Sequence, residues 1–271
     1  MNIRPKKSLG QNFLINPFIS EQIVSIIKEL NPSSLIEIGP GLGSLTTPLS
    51  QLNIPLTLIE LDSKIADFWK QKKFSVIEKD ALQIDDTQIF ESSTLVGNLP
   101  YQISSRLVIQ SSTHWPVRQM CLMVQKEVAD RMTSLHKQKS YGLLSVAAQY
   151  AWDIQKKLEV KTSDFHPPPQ VEGRILTFKR KNILPVSFLS FLKECFQQKR
   201  KILLKKIEKM KILQTPSTPT AYLQHTFDKL NISASARAEE LSVDQFVKLY
   251  KLCIGDSHGN KNNISQQKSR L

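Results

Sequence analysis

The sequence predicts an α/β protein, a doubly wound sheet followed by a small C-terminal helical domain. Three observations carry that expectation. Short apolar runs alternate with helix-compatible segments over the first 180 residues. A glycine-rich turn, Gly39-Pro-Gly-Leu-Gly43, follows directly on the first run, Ser34-Leu-Ile-Glu-Ile38. After Asn182 the strand-like texture stops. Alternation of this kind specifies a sheet covered by helices. A glycine turn at the carboxyl end of the first strand is where such sheets form a ligand crevice.

The elements follow in order. Strands are expected at 34–38, 56–60, 75–78, 94–97 and 120–125. Helical patterns lie between and after them, at Ser63 to Lys70, Ser104 to Ser112, 126–136 and 142–150. Two further runs, Asp153 to Val160 and Arg174 to Arg180, flank a proline cluster and suit a hairpin-like pair. Seven strands of this sort make a sheet with an antiparallel edge. Residues 186–211 contain no glycine or proline and read as one long helix, broken at Thr215-Pro-Ser-Thr-Pro219. Helices at about 219–230 and 238–252 complete the second domain. From Gly255 the chain is polar and rich in Asn, Gln, Ser and Lys, the composition of a disordered tail. The expected division is therefore 1–182, 183–254 and 255–271.

Composition narrows the function classes. At 271 residues and 40% hydrophobic content the chain can bury a real core. It has no run of 18 apolar residues, so no membrane span is expected. Met1-Asn-Ile-Arg-Pro-Lys-Lys7 lacks the apolar stretch of a signal peptide. Cys121, Cys195 and Cys253 are far apart and lack metal-binding spacing, which fits reduced thiols in a cytoplasmic protein and no metal. The net charge of +13 points to a polyanion partner. That charge clusters. Arg4, Lys6 and Lys7 precede the first acid, Glu21. Between 193 and 211, Lys193, Lys199, Arg200, Lys201, Lys205, Lys206, Lys209 and Lys211 face only Glu194 and Glu208. A solvated helix face usually interleaves both signs, so this excess favours phosphate contact.

The glycine turn departs from the dinucleotide fingerprint, because Ser44 stands where the third glycine belongs. Glu37, just before the turn, suits a cationic ligand better than a pyrophosphate. Glu60 ends the next strand about 20 residues on, where an acid can hold ribose hydroxyls. Glycines, two acids and no P-loop lysine suit S-adenosylmethionine. Another nucleotide ligand and a purely structural turn remain alternatives on these residues alone.

Asn98-Leu-Pro-Tyr101 follows the fourth strand and reaches the same rim if that strand lies beside the first. An amide oxygen on Asn98 and the Leu99 carbonyl can accept both hydrogens of an exocyclic amine. That localises its lone pair for attack on a methyl donor. Pro100 fixes the turn and Tyr101 can stack on a base. An ordinary strand-to-helix turn is the competing reading. Phe165-His-Pro-Pro-Pro169 is a rigid extended segment. Phe165 could form the other face of a base sandwich, although a surface loop joining two edge strands is the favoured reading of this segment alone. His166 fits a solvent-facing loop, and Trp69, Trp115 and Trp152 fit packing positions.

Taken together, these motifs resemble the KsgA/RsmA family of small-subunit ribosomal RNA adenine dimethyltransferases. Lys7-Ser-Leu-Gly-Gln-Asn-Phe-Leu14 is similar to the family's cofactor-covering segment. Glu37 to Gly43, Glu60-Leu-Asp62, Asp80-Ala-Leu82, Asn98 to Tyr101 and Phe165 to Pro169 occur in the family's order and spacing. Phe196-Gln-Gln-Lys-Arg-Lys201 and Arg237-Ala-Glu-Glu-Leu-Ser242 extend the resemblance to about residues 4–252. It implies a Rossmann-like S-adenosylmethionine-dependent methyltransferase sheet and a helical domain that grips RNA. It implies cofactor contacts at Asn12, Leu14, Gly39, Glu60, Asp80 and Asn98, with Glu60 on the ribose and Asp80 on the adenine amine. The implied reaction is N6,N6-dimethylation of two adjacent adenosines in the 3′-terminal hairpin loop of 16S rRNA. The implied partner is a 30S assembly particle, engaged by a monomer. Two departures are visible. Gln170-Val-Glu-Gly173 replaces the usual Lys-Val-x-Ser, and Asn16 stands where an aspartate is common. The related large-subunit resistance methyltransferases share the glycine and Asn-Leu-Pro-Tyr-type motifs, but Arg237 to Leu241 favours the small-subunit group. A non-catalytic RNA-binding assembly factor on the same fold is disfavoured by intact Glu37, Glu60, Asp80 and Asn98.

Overall fold

A computed structural model of the protein describes residues 5–6, 10–85, 93–100, 102–198, 200–210 and 220–254. Two compact units emerge. The first holds the described residues up to Ser134 together with Leu144–Pro185, and the second holds Leu135–Leu143 and the described residues from Val186 onward. The expected tail, 255–271, lies outside the described residues.

The first unit begins with a two-residue strand, β1 (Phe13–Leu14), and helix α1 (Pro17–Glu29). The Asn16 side-chain oxygen caps α1 by accepting from the Phe18 amide at 3.1 Å. Pro17 occupies the start of the helix, where an amide would go unused anyway. Next come β2 (Ser34–Ile38), α2 (Thr46–Ser50), β3 (Leu56–Glu60), α3 (Ser63–Gln71) and β4 (Ser75–Glu78). They are followed by β5 (Ser93–Asn98), α4 (Ser104–Thr113), β6 (Gln119–Gln125), α5 (Lys126–Thr133) and α6 (Leu143–Ala151). The unit closes with β7 (Trp152–Val160), β8 (Phe165–His166) and β9 (Gly173–Arg180).

Among the described residues, seven strands form one sheet in the order β4-β3-β2-β5-β6-β9-β7. β2 to β6 run parallel, and β9 is antiparallel to both β6 and β7. The central strands carry short apolar runs because helices cover both faces. Leu35, Ile36, Leu95 and Val96 are accordingly buried. β7, at the edge, exposes Lys156, Lys157 and Glu159, and charges there discourage pairing with another chain. One face of the sheet packs on α1 through Ile23, Val24 and Ile27. Each such side chain contributes about 1.5–3 kcal/mol on burial.

Arg180 fastens the far side. Its guanidinium donates to the carbonyls of Ser111, Ser112, Trp115 and Val117 and lies 3.7 Å over the Trp152 ring. It satisfies carbonyls at the end of α4 that the helix itself leaves open. Burial pushes its pKa down to about 10.

The second unit contains α7 (Val186–Phe196), α8 (Leu203–Ile207), α9 (Thr220–Lys229) and α10 (Val243–Ile254). Its core includes Phe188, Phe191, Phe227 and Phe246. Leu135–Leu143 lies within the first 182 residues but belongs to this unit. The Lys137 amide donates to the Glu239 carbonyl, and the buried Tyr141 hydroxyl donates to the Leu241 carbonyl, both at 2.8 Å.

The single helix expected over 186–211 is not what forms. α7 ends at Phe196, Gln198 takes a left-handed φ of 51°, and α8 starts at Leu203. The residues between are Gln197, Gln198, Lys199, Arg200, Lys201 and Ile202, a mostly polar run with little apolar surface to bury. The Leu203 amide pairs with the Ala236 carbonyl instead of continuing a helical ladder.

Candidate active site

β2 lies between β3 and β5, so the carboxyl ends of these three strands open on one rim. That is the switch point of a doubly wound sheet. A cleft of about 170 Å³ occupies it. Its walls bring together Asn12, Leu14, Gly39, Glu60, Asp80, Asn98, Leu99 and Pro100, which the sequence scatters over almost 90 positions. Tyr101 lies outside the described residues.

The glycine turn is built for close approach. The Gly39 amide donates to the Ile59 carbonyl at 2.9 Å, with φ at +68°. A Cβ placed there would meet nothing within 4 Å, so this stretch of wall is open to a ligand. Gly43 is different. At φ +93°, its added Cβ would stand 2.6 Å from the Trp69 ring. Trp69 also donates from Nε1 to the Gly41 carbonyl at 3.1 Å, so it supports the turn from beneath.

Two buried carboxyls face the cleft. Glu37 is 1% exposed, and its Oε2 has no hydrogen-bond partner. Burial pushes its pKa up to about 8. The nearby Thr46 hydroxyl offsets part of that rise, and the charge of Glu60 adds to it. Glu60 accepts the Asp62 amide on Oε1 at 2.8 Å. Burial raises its pKa as well, against the amides of Asp62, Leu61 and Gly41 that favour the charged form. Asp80 accepts the Leu82 amide on Oδ1 at 2.9 Å, which orients the carboxylate at the rim. Lys79 also lines the cleft, with its ammonium 3.5 Å from Asp85.

Asn98 ends β5, and its Nδ2 donates to the Asn12 carbonyl at 3.0 Å. The donor half of the amide is therefore occupied, and the oxygen is the half left to accept. The Leu99 amide donates to the Met123 carbonyl at 3.1 Å, tying the turn to β6.

Phe165 sits elsewhere than a base-facing wall. It is 3% exposed, and its ring packs in the apolar core with Leu14, Ile19, Ile23 and Ile175. Its backbone explains why. Leu14 pairs with Phe165 and Phe13 with His166 in a two-stranded sheet, so Phe165 anchors the strand that forms one cleft wall. Sequence reasoning missed other residues here. Leu61 and Leu42 stand at the mouth, 51% and 43% exposed, and supply apolar surface. Lys6 lies 2.7 Å from the buried Asp62, outside hydrogen-bond alignment. Burial alone would raise the Asp62 pKa, but Lys6 and the Lys64 amide outweigh it and lower the value. Leu42 and Leu61 lie inside runs marked for their neighbours, and in the sequence Lys6 reads only as part of a basic cluster.

The donor set fits a cationic nucleoside such as S-adenosylmethionine. An orphaned carboxyl oxygen on Glu37 faces a cleft whose glycine wall would accommodate a ligand, with further acids on neighbouring strands. A polyphosphate would meet like charge.

Comparison with known proteins points the same way. A protein named Ribosomal RNA small subunit methyltransferase A, from Bdellovibrio bacteriovorus, is 44% identical over 259 residues, covering 93% of each chain. A solved dimethyladenosine transferase from Plasmodium falciparum is similar at TM-score 0.74 and 27% identity, over 88% of this chain and 95% of that one. The solved 23S rRNA methyltransferase ErmE shares the fold at TM-score 0.66, with 19% identity over 89% of this chain and 99% of that one. The family described as Ribosomal RNA adenine dimethylase matches residues 2–254. With its cleft, its sheet and nearly its whole length accounted for, the chain belongs to the ribosomal RNA adenine dimethylase family.

Proposed function

We propose that the protein dimethylates N6 of two adjacent adenosines in the loop of the hairpin near the 3′ end of small-subunit ribosomal RNA. One observation carries this reading beyond family membership: the buried Glu37 carboxyl, with its Oε2 left without a hydrogen-bond partner, and the oriented Asn98 amide share one cleft. A buried carboxyl with one oxygen unpaired suits a cation, and a neutral amide suits an uncharged amine.

S-adenosylmethionine, when bound, supplies an electrophilic methyl group on a positively charged sulfur. Glu60 would hold the ribose hydroxyls and Asp80 the adenine amine, with Asn12, Leu14 and Gly39 forming the walls around them. Asn98 Oδ1 and the Leu99 carbonyl accept the two N–H hydrogens of the target amine. This withdraws its lone pair from the ring and directs it at the methyl carbon. Pro100 fixes the turn that presents the carbonyl. No strong base is required, because the methylated nitrogen is acidic and gives its proton to water. An unstacked loop base is cheaper to extract than a paired one.

The partner is a 30S assembly particle in the cytoplasm, bound by a monomer. Arg200, Lys201, Lys205 and Lys209 are exposed and suit phosphate contact. Lys206 is engaged otherwise, donating to the Cys195 carbonyl at 2.8 Å at the end of α7. Neutralising Arg200 and Lys201 should flatten the slope of log affinity against log salt by about 0.7–0.9 for each phosphate no longer neutralised.

The deciding experiment offers labelled S-adenosylmethionine to small subunits lacking these methylations, with large subunits in parallel. Dimethyladenosine at the 3′-terminal hairpin is the expected product. Label confined to large-subunit RNA, or no label at all, would overturn the reading.

A further inference from the structure

A chain of contacts joins the two ends of the cleft through residues outside the reacting set. The Asp62 amide donates to Glu60 Oε1 at 2.8 Å, and Asp62 Oδ2 lies 2.7 Å from Lys6 Nζ. Lys6 donates from its own amide to Gln11 Oε1 at 2.8 Å, and the Gln11 amide returns to the Lys6 carbonyl at 3.4 Å. Asn12 follows Gln11, bonds back to the Gly10 carbonyl at 3.3 Å, and presents its own carbonyl to Asn98 Nδ2 at 3.0 Å.

The chemistry gives the link a direction. A carboxamide works as an acceptor towards the target amine only if its oxygen, not its NH₂, faces that amine. Turned over, Asn98 would offer hydrogens to a group that also presents hydrogens. The Asn12 carbonyl accepts only, so it selects the orientation with nitrogen towards itself. Lys6 in turn is held by a carboxylate that is almost fully buried. The Asp62 side chain is 2% exposed, while that of Lys6 is 46% exposed. The anchor is therefore fixed on the Asp62 side.

We propose that Lys6 is a positioning residue for the methyl-transfer reaction, acting through the Asn12 carbonyl to set the orientation of the Asn98 amide. The proposal rests on the function assigned to Asn98 above. It adds that the N-terminal segment does more than cover a ligand: it selects which half of a carboxamide faces the acceptor base. It also couples the ribose-side acid to the reacting amide, because Asp62 touches Glu60 through its backbone and Lys6 through its side chain.

The test uses the full-length protein saturated with S-adenosylhomocysteine and labelled with ¹⁵N-asparagine. The Asn98 carboxamide signals are assigned by their loss in Asn98→Ala. Lys6→Met should move those signals towards free-amide positions. At saturating cofactor it should also lower kcat about tenfold, as expected when a reacting group is misplaced. Lys6→Arg, which keeps the ion pair, should restore both. A purely structural role would lower the melting temperature without moving the Asn98 signals. Signals unchanged in Lys6→Met would overturn the proposal, as would moved signals with an unchanged kcat. If the wild-type protein fails to methylate small subunits, the functional reading falls, and the signals still report whether Lys6 controls the amide.

Discussion

Glu60 and Asn98 end the strands on either side of β2, and the protein holds them by contrasting means. Glu60 is gripped locally. Amides of Asp62, Leu61 and Gly41 favour its charged form, and the Asp62 contact spans two positions in sequence. Asn98 is gripped from afar, by a carbonyl 86 positions earlier. The acidic end is therefore preorganised once the neighbouring strands β2 and β3 and their turns fold. The amide end is complete only when the N-terminal segment closes on β5. Under the proposed function, binding would rely on charge placed by nearby turns, and reaction on orientation placed by tertiary structure.

The largest effect should come from breaking the amide end. Asn98→Ala removes an oriented acceptor while leaving the acids untouched. Removing one preorganised polar group of this kind typically costs about 10²–10³ in kcat. Single-turnover methyl transfer to undermethylated small subunits should show such a drop, with RNA affinity within about twofold of wild type. A rate close to wild type would show that Asn98 is not the orienting group.

Breaking the local framework beneath the acids should act on stability instead. Gly43→Ala places a methyl group 2.6 Å from the Trp69 ring at φ +93°. Trp69 must move, and it holds the Gly41 carbonyl. Overpacking costs about 1–3 kcal/mol, which for a protein of this size lowers Tm by about 2–4 °C per kcal/mol. Calorimetric melting measures this directly. Retained kcat at saturating cofactor, beside the lowered Tm, would separate the framework from the chemistry.

Glu37 sharpens the contrast through pH. Its native pKa of about 8 lies well above the ordinary value of 4.5. Between those values the unfolded chain has released the proton and the native group retains it. Stability therefore falls as pH rises through this window, by about 1.4 kcal/mol per unit for a fully buried group. Denaturant melts at pH 6 and pH 7 should differ accordingly, and Glu37→Gln should remove that component. A cation entering the cleft favours the carboxylate, so S-adenosylmethionine binding near pH 7 should release a proton. Calorimetry in buffers of different ionisation enthalpy reads that release, and its persistence in Glu37→Gln would assign it to another group.

The same contrast explains what the sequence disclosed. β2, β3 and β5 carry short apolar runs because they lie inside the sheet, and the glycine turn, Glu60 and Asp80 stand at or just beyond the ends of their strands. Features set by local sequence were legible. The pairing of Leu14 with Phe165 joins two-residue strands 151 positions apart, too short for any period to register. Phe165 consequently reads as a base-stacking residue although its ring is in the core. The Lys6–Asp62 pair and the packing of Leu135–Leu143 with the helical unit are likewise invisible to spacing. The break after Phe196 was hidden because neither glycine nor proline marks it, and a distant carbonyl on Ala236 redirects the chain.

The smallest expected effect concerns the departure at Asn16. Its Nδ2 donates to Asp164 Oδ1 at 2.8 Å while its oxygen caps α1. Asp164 also accepts the Lys161 amide on Oδ2, and its carbonyl accepts the Ile15 amide, so it stands between β1 and β8. Asn16→Asp would keep the cap but set two carboxylates face to face. The missing hydrogen bond and the repulsion together should cost about 1 kcal/mol near neutral pH. Asp164→Asn in the Asn16→Asp background supplies a donor again and should recover most of the loss. Thermal melts of the four combinations at pH 7 measure that coupling. Additive losses would mean that Asn16 matters only as a helix cap and that β1 is held by its neighbours alone.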